Sequence, residues 1–260
     1  MVFFRNLKGI FGENKMLLSI KIWFELFLKY TAINNSITQN STMEAQINDI
    51  QVKTPLLKRI FDIIFSVIII VMLSPILLAS TIAIIFEGLC IRKNNGPIFY
   101  TETRMSEGRP FTLRKFRIFK TSAYEPIRAR GEIVETKPLE RDPQNLTHVG
   151  NMLKRFYLDE APQLFSVFIG DMSLVGPRPW NPVDYKREIE EGEFRKKVIR
   201  AGLTGPVQIH KLDAKAYGGE HKLDHDYIIF VKNNNGARVV LHDLMLLFQS
   251  FWFMVHGQGL

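Results

Sequence analysis

The longest uncharged segment of the sequence places the strongest constraint on the fold. It runs from Ile63 to Phe86, 24 residues without a charged side chain. About 20 apolar residues suffice to cross a hydrocarbon core roughly 30 Å thick. The segment begins too far from the N-terminus, and is too long, to be the apolar region of a secretory signal peptide. It therefore predicts a membrane helix, with a buried helix of a soluble core as the alternative.

Two features of this segment favour a re-entrant helix hairpin over a spanning helix. The first is Ser74-Pro75 at its middle, because Pro75 lacks an N–H and clashes with the preceding turn, which predicts a break. The Ser74 hydroxyl can satisfy a freed backbone group. The second feature is basic residues on both flanks, which favour the cytoplasmic side at both ends. The flanking residues are Lys53, Lys58 and Arg59 before the segment and Arg92 and Lys93 after it.

The rest of the chain divides into an N-terminal extension and a C-terminal region. Residues 1–50 form an N-terminal extension, residues 51–93 hold the membrane segment, and residues 94–260 form the second region. In this region short mixed segments alternate with Gly- and Pro-containing loops, at least as far as residue 215. The pattern predicts a small α+β domain.

Two further stretches are apolar on one side and predict amphipathic helices. Residues 16–30 carry Lys21, Glu25 and Lys29 among apolar residues, and residues 239–255 are rich in aromatic residues. Such helices lie on a membrane surface or pack on another helix. Residues 31–50 are rich in Asn, Thr, Ser and Gln and predict a polar linker.

The charge balance indicates anionic partners. The chain has 34 Lys and Arg residues against 26 Asp and Glu residues, a formal net charge of +8. Nucleic acid, anionic lipid and phosphorylated substrates all suit such a chain. Zinc-finger spacing, an RNP-like aromatic pattern and a basic helix are missing from the sequence, so we expect no nucleic-acid partner. The single cysteine, Cys90, excludes an intramolecular disulfide framework.

The adjacent carboxylates Asp159 and Glu160 are the first candidates for chemistry. A carboxylate can attack phosphorus as a nucleophile or bind Mg²⁺. Lys154 and Arg155 just precede the pair and are expected to keep Asp159 ionised. Neighbouring residues of a helix do not face the same way, so two separate roles are expected. A solvent-exposed helix surface is the alternative interpretation.

A loop from Gly170 to Pro179 is the second candidate. Its glycines let backbone N–H groups approach an anion, and its prolines restrict the loop's shape. Arg178 supplies a planar guanidinium suited to phosphate oxygens. The alternative is an ordinary tight turn with a surface arginine.

Several motifs together make the sequence similar to a known family. From about Lys58 to Phe248 it resembles the bacterial sugar transferases, the monotopic polyprenyl-phosphate phosphoglycosyl transferases. The motifs that carry the resemblance are Lys58-Arg59-Ile60-Phe61-Asp62, Ser74-Pro75, Gly96-Pro97-Ile98-Phe99 with Arg104, Lys115-Phe116-Arg117, Leu158-Asp159-Glu160, Gly170 to Pro179, and Gly202-Leu203-Thr204-Gly205 with Gln208.

The resemblance implies a two-step reaction at a bacterial inner membrane. Such enzymes move a sugar phosphate from a nucleotide diphosphate sugar, by family preference a UDP-sugar, to polyprenyl (undecaprenyl) phosphate. Asp159 stands at the position of the nucleophile, and the intermediate would be a covalent aspartyl-phosphosugar. Glu160 would bind Mg²⁺ or activate the acceptor. Both carboxylates are candidate ligands of Mg²⁺, the expected cofactor.

The same resemblance implies a set of residues that bind phosphate or substrate. They are Lys115, Arg117, Lys154, Arg155, Arg178 and Gln208. The catalytic domain would lie on the cytoplasmic face and start the assembly of a glycan such as an exopolysaccharide. A homodimer is left open. Departures from the family pattern after Gly205 motivate an alternative function, an inactive scaffold in a glycan-assembly complex.

Overall fold

A computed structural model describes residues 52–210 and 214–255, with side chains as far as residue 253. These residues belong to one compact unit, Asn48–Leu260. The predicted amphipathic helix at 16–30 and the linker at 31–50 lie outside the described residues. Helices and strands are mixed in the described part, in agreement with the α+β prediction at that level.

Helix α1, Leu56–Cys90, contains the whole uncharged segment. It runs without interruption through Pro75, so the predicted break does not appear in its secondary structure. Pro75 leaves the carbonyl of Val71 without its usual helical donor. The Ser74 hydroxyl donates to that carbonyl at 2.7 Å, which confirms the role predicted for Ser74.

The surface of α1 is largely apolar and exposed. Within residues 52–210 and 214–255, α1 is the one helix long and apolar enough to cross a membrane, judged by length and composition. Its 35 residues extend roughly 50 Å if straight, more than the thickness of a hydrocarbon core. A core helix of a soluble protein would bury these side chains. The exposed large apolar residues of α1 are Leu56, Leu57, Ile60, Ile64, Val67, Ile68, Val71, Met72, Ile76, Leu78, Ile82, Ile85, Phe86 and Leu89.

Both ends of α1 are attached to the rest of the unit through charged side chains. Near the N-terminal end, Lys58 pairs with Asp243. Asp62 accepts hydrogen bonds from the Ser173 hydroxyl and the Leu174 N–H. Near the C-terminal end, Glu87 binds backbone N–H groups at 148 and 149. Lys58 is fully buried. It is therefore a structural cation and not part of an exposed basic flank.

Arg59 is also used inside the protein. Its guanidinium donates to the carbonyls of Val167 and Phe168, both at 2.7 Å. The exposed basic residues beside α1 are Lys53, Arg92 and Lys93.

The elements that follow α1 are short. Two strands come first, β1 (Phe99–Ser106) and β2 (Arg109–Phe116), then helices α2 (Thr121–Ala129), α3 (Thr136–Arg141), α4 (His148–Arg155) and α5 (Gln163–Ile169). After strand β3 (Ser173–Val175) come α6 (Pro182–Glu190), α7 (Arg195–Val198), strand β4 (Gly202–Thr204) and α8 (Pro206–Ile209). Helices α9 (Glu220–Asn233) and α10 (Gly236–Val255) end the described part. Short 3₁₀ turns occupy 92–94, 143–145, 158–160 and 214–217.

Strands β1 and β2 form an antiparallel hairpin with Phe99 opposite Phe116. Its two-residue turn, Glu107-Gly108, has positive φ at both positions, 51° and 74°, as a tight hairpin turn requires. One face of the hairpin contributes to the main apolar cluster, which also receives Ile84 and, at its margin, Leu77 from α1. The cluster consists of Ile84, Tyr100, Phe116, Ile118, Phe119, Tyr124, Val134, Leu146 and Leu153.

Strands β3 and β4 pair in parallel and are backed by α10 and the start of α1. Helix α10 confirms the helix predicted at 239–255 and buries one face through Val239, Asp243, Leu246 and Ser250. The opposite face exposes large apolar residues, as an amphipathic helix does. These exposed residues are Leu241, Leu244, Phe248, Phe251 and Trp252.

Candidate active site

Asp159 and Glu160 lie on a 3₁₀ turn, Leu158–Glu160, that follows α4. Tyr157 joins the two elements in the left-handed conformation, with φ 55° and ψ 18°. This conformation is unfavourable for a residue with a bulky side chain. The local backbone therefore turns sharply just before Asp159 and Glu160, the carboxylate dyad, and it presents the two side chains to different surroundings.

Glu160 lies in a cluster of cations. Lys115, on β2, donates to Glu160 Oε1 at 2.8 Å, and the Arg178 guanidinium lies 3.6 Å from the same oxygen. Burial alone would raise the pKa of Glu160, but the charges of Lys115 and Arg178 outweigh it and lower that pKa to about 2. Glu160 is thus held as a carboxylate.

Asp159 is more deeply buried and has a different electrostatic environment. Its side chain lines a small pocket with Lys115, Thr136 and Glu140. Burial raises the pKa of Asp159 to about 6, and the neighbouring charge of Glu160 contributes to the rise, while Lys115 opposes it. The sequence predicted two separate roles for the pair, and the two environments are indeed distinct.

Lys154 and Arg155 do not hold Asp159 ionised as the sequence suggested. The Lys154 ammonium donates to the Glu140 carbonyl at 2.9 Å and lies 3.4 Å from the Glu140 carboxylate. Arg155 is exposed at the end of α4. The charge that favours ionisation of Asp159 comes instead from Lys115, which is distant in sequence.

Two other residues of the predicted binding set, Arg117 and Gln208, are buried. Arg117 is buried and donates to the carbonyls of Asn94, Pro97 and Phe119, each at 2.7 to 2.8 Å. These bonds fix the segment between α1 and β1, so the structure gives Arg117 a structural role. Gln208 is buried in α8.

A second small pocket lies on the Glu160 side of the dyad. Three polar side chains that line it were absent from the predicted binding set: Glu102, Arg104 and Gln163. Arg104 and Glu102 form an ion pair at 2.9 Å on β1. The alternation of β1, which directs residues 102 and 104 to one face, is the signal that could have indicated them. The pocket is lined by Glu102, Arg104, Leu113, Lys115, Glu160, Gln163, Arg178, Pro179, Gly202 and Leu203.

The loop that carries Arg178 is fixed by the later glycine motif. The Gly176 N–H donates to the Thr204 carbonyl, and the Gly202 N–H donates to the Pro177 carbonyl, both at 2.9 Å. A Cβ atom at Gly202 would lie 2.1 Å from the Gly176 nitrogen, which no side chain allows. The two motifs, far apart in sequence, thus form one backbone unit that holds Arg178 beside Glu160.

The dyad offers two carboxylates as possible ligands of Mg²⁺. Among the described residues, no group of three or more His, Cys, Asp and Glu side chains is arranged to hold a metal ion. Mg²⁺ commonly uses only one or two protein carboxylates and completes its shell with substrate phosphates and water. Asp159 and Glu160 fit that mode of binding.

Comparison with known proteins assigns the chain to a family. The sequence model described as "Bacterial sugar transferase" matches residues 53–257. The UDP-glucose:undecaprenyl-phosphate glucose-1-phosphate transferase of Escherichia coli (strain K12) is 34% identical over 158 residues, 60% of this chain and 31% of that protein. The UDP-N-acetylgalactosamine-undecaprenyl-phosphate N-acetylgalactosaminephosphotransferase of Aeromonas hydrophila is 30% identical over 207 residues, 78% of this chain and 44% of that protein.

A shorter relative is matched over most of its length. The exopolysaccharide production protein ExoY of Sinorhizobium fredii (strain NBRC 101917 / NGR234) is 31% identical over 208 residues, 74% of this chain and 83% of that protein. The match to the first two relatives spans less than half of their length. Because the family model covers residues 53–257, which include α1, the dyad and the Arg178 loop, the chain belongs to the bacterial sugar transferase family.

Proposed function

We propose that this protein is a membrane-bound phosphoglycosyl transferase. It moves a sugar 1-phosphate from a UDP-sugar to undecaprenyl phosphate, the first membrane step in building a glycan. The observation that carries the proposal is the arrangement of Asp159 and Glu160 with the cations Lys115 and Arg178. The names of the relatives, which specify undecaprenyl phosphate and in two cases a UDP-sugar, support the substrate classes.

The proposed reaction has two displacements at phosphorus. In the first, an Asp159 carboxylate oxygen attacks the sugar-bearing phosphorus of the donor, and the bond to the nucleoside monophosphate breaks. In the second, an oxygen of undecaprenyl phosphate attacks the same phosphorus and Asp159 leaves. The product is undecaprenyl diphosphate sugar, and the Asp159 carboxylate is regenerated.

The remaining residues stabilise charge and fix geometry. Arg178 and Arg104, which line the same pocket, offer planar donors to the diphosphate oxygens. Lys115 lines both pockets and supplies a positive charge between the carboxylates. When bound at Asp159 and Glu160, Mg²⁺ would neutralise diphosphate charge.

The function is tested by a donor screen. The purified full chain is incubated with undecaprenyl phosphate, Mg²⁺ and one nucleotide diphosphate sugar at a time, and released nucleoside monophosphate is measured. We expect release with at least one UDP-sugar. A folded protein that releases none with any donor would favour the scaffold alternative.

Arg178→Lys is expected to lower donor turnover roughly 10- to 100-fold, because a lysine ammonium cannot make two parallel bonds to phosphate. The measurement is nucleoside monophosphate release, with membrane recovery and thermal unfolding as checks on folding. Arg187→Lys is the matched control, since Arg187 is exposed on α6 and pairs with Asp184. Near-normal turnover of Arg178→Lys would show that Arg178 is only a surface residue.

We also propose that both ends of α1 lie on the cytoplasmic face of the inner membrane. Attachment of the Lys58–Asp62 end and the Glu87 end to the same compact unit supports this topology. The exposed cations Lys53, Arg92 and Lys93 support it as well.

Cysteine labelling tests the topology. In a Cys90→Ser background, Lys53→Cys and Asn95→Cys are labelled with a membrane-impermeant maleimide. Both positions should react in inside-out vesicles and neither in intact spheroplasts, because both would face the cytoplasm. Labelling of the two positions from opposite sides would contradict a shared face.

A further inference from the structure

A buried carboxylate near the C-terminal end of α1 caps a helix of the catalytic region. Glu87 accepts hydrogen bonds from the His148 N–H at 2.7 Å and the Val149 N–H at 3.0 Å. The first N–H groups of a helix have no partners within it, and a carboxylate there also suits the helix dipole. The Thr147 hydroxyl accepts from the Gly150 N–H. Three N–H groups at the start of α4 are therefore satisfied, two of them by α1.

Helix α4 connects this cap directly to the nucleophile. It ends two residues before Tyr157, and the dyad turn follows at once. Its packing leaves little room for movement, because a Cβ atom at Gly150 would lie 2.3 Å from the Ile118 carbonyl oxygen. A shift of the capped end would be carried along α4 to Asp159.

A second buried carboxylate, near the other end of α1, binds the strand that leads into the Arg178 loop. Asp62 accepts from the Ser173 hydroxyl at 2.8 Å and from the Leu174 N–H at 3.1 Å. One turn earlier in α1, Lys58 donates to the Val175 carbonyl at 3.1 Å. Strand β3 ends at Val175, so these contacts fix the start of the loop that holds Arg178 beside Glu160.

We propose that Glu87 and Asp62 are positioning residues through which α1 aligns the two halves of the active site. Glu87 places the dyad through α4, and Asp62 places the Arg178 loop through β3. This assignment rests on the proposed transferase function. Its physical basis is that Glu87 binds two backbone N–H groups at the start of α4, which leads to the dyad, 61 and 62 residues away. Asp62 binds the Leu174 N–H, 112 residues away, and the Ser173 hydroxyl in the strand that leads to Arg178. Attachment of α1 to the rest of the protein is thereby coupled to alignment of the proposed nucleophile and the phosphate-binding arginine.

The experiment compares Glu87→Gln and Asp62→Asn in the full chain, reconstituted in lipid nanodiscs. In Glu87→Gln, hydrogen–deuterium exchange should increase about tenfold in peptides from 148–160 and stay unchanged in peptides from 173–179. In Asp62→Asn, exchange should increase about tenfold in peptides from 173–179 and stay unchanged in peptides from 148–160. In the complete transfer reaction, Glu87→Gln should lower kcat about tenfold with little change in the donor KM. Asp62→Asn should raise the donor KM about tenfold, because Arg178 contacts the donor.

Ser80→Ala is the matched control, because Ser80 is buried on α1 and its hydroxyl bonds only to the Ile76 carbonyl of the same helix. It should change neither segment. Glu87→Asp replaces Glu87→Gln if the amide variant does not fold. It keeps the charge on a shorter side chain, so it should increase hydrogen–deuterium exchange in the same peptides by a smaller factor. Equal effects on both segments, or none in Asp62→Asn and Glu87→Asp, would overturn the proposal. The exchange measurement needs no turnover, so an inactive wild-type protein would refute the proposed function separately.

Discussion

Asp159→Asn is expected to lower transfer to undecaprenyl phosphate by roughly 10³-fold or more, because it removes the nucleophilic oxygen while keeping the size of the side chain. Asp159 is buried beside Lys115 in the first pocket, whereas Glu140, the other carboxylate that lines this pocket, pairs with Lys154. The measurement is the rate of product formation with the donor found in the screen.

The proposed intermediate should be detectable in the wild-type protein. Incubation with donor and Mg²⁺ but without acceptor should add one phosphosugar to the peptide that contains Asp159, as detected by mass spectrometry. Asp159→Asn should lack the adduct, whereas Glu160→Gln should slow one half-reaction. An adduct on another residue would reject the assignment, and full transfer by Asp159→Asn would reject the mechanism.

The control for Asp159→Asn is Asp226→Asn. Asp226 is exposed on α9 and pairs with Lys222 at 2.8 Å, a contact that does not involve Asp159 or Glu160. The same chemical change there should leave both the transfer rate and the adduct unaffected.

Lys115→Met is expected to lower turnover roughly 10²- to 10³-fold, the usual loss when one preorganised charge is removed from a site that stabilises developing negative charge. Lys115 donates to Glu160 at 2.8 Å and lines the pockets of both carboxylates. Without it, the two carboxylates would repel each other and the incoming diphosphate. The measurement is nucleoside monophosphate release as a function of donor concentration.

Lys115→Arg and Arg114→Met serve as controls for this prediction. Lys115→Arg keeps the charge and should retain part of the activity. Arg114 precedes Lys115 on β2 and is exposed on the opposite face of the strand, so Arg114→Met should have little effect. Equal loss in Lys115→Met and Arg114→Met would indicate damage to the hairpin instead of loss of a catalytic charge.

Features encoded within short segments could be predicted from the sequence. The uncharged segment predicted a membrane helix, and α1 contains the segment as one long apolar helix with a largely exposed surface. The role of Ser74 toward a freed carbonyl was also predictable, since donor and acceptor are only three residues apart. The helix at 239–255 followed from its apolar periodicity in the same way.

The structure differs from the sequence prediction at Pro75 and for several cations. Pro75 lies inside a continuous helix because a single lost hydrogen bond is replaced by the Ser74 hydroxyl. Sequence proximity suggested that Lys154 would act on Asp159, but α4 directs Lys154 to Glu140. Arg117 looked like a phosphate ligand because it is two residues from Lys115, and alternate residues of a strand share a face. The strand ends at Phe116, so this rule does not extend to Arg117.

The sequence by itself determined the family, and it indicated the dyad and the Arg178 loop as candidate site residues, because these are contiguous motifs. The tertiary structure decided their electrostatics, since the pKa of Asp159 and that of Glu160 depend on burial and on cations from β2 and the Arg178 loop. It also decided the attachment of α1, in which Glu87 accepts from the His148 N–H 61 residues away and Asp62 accepts from the Leu174 N–H 112 residues away. Contacts over such separations leave no periodic pattern in the chain, so only the folded structure brings them together.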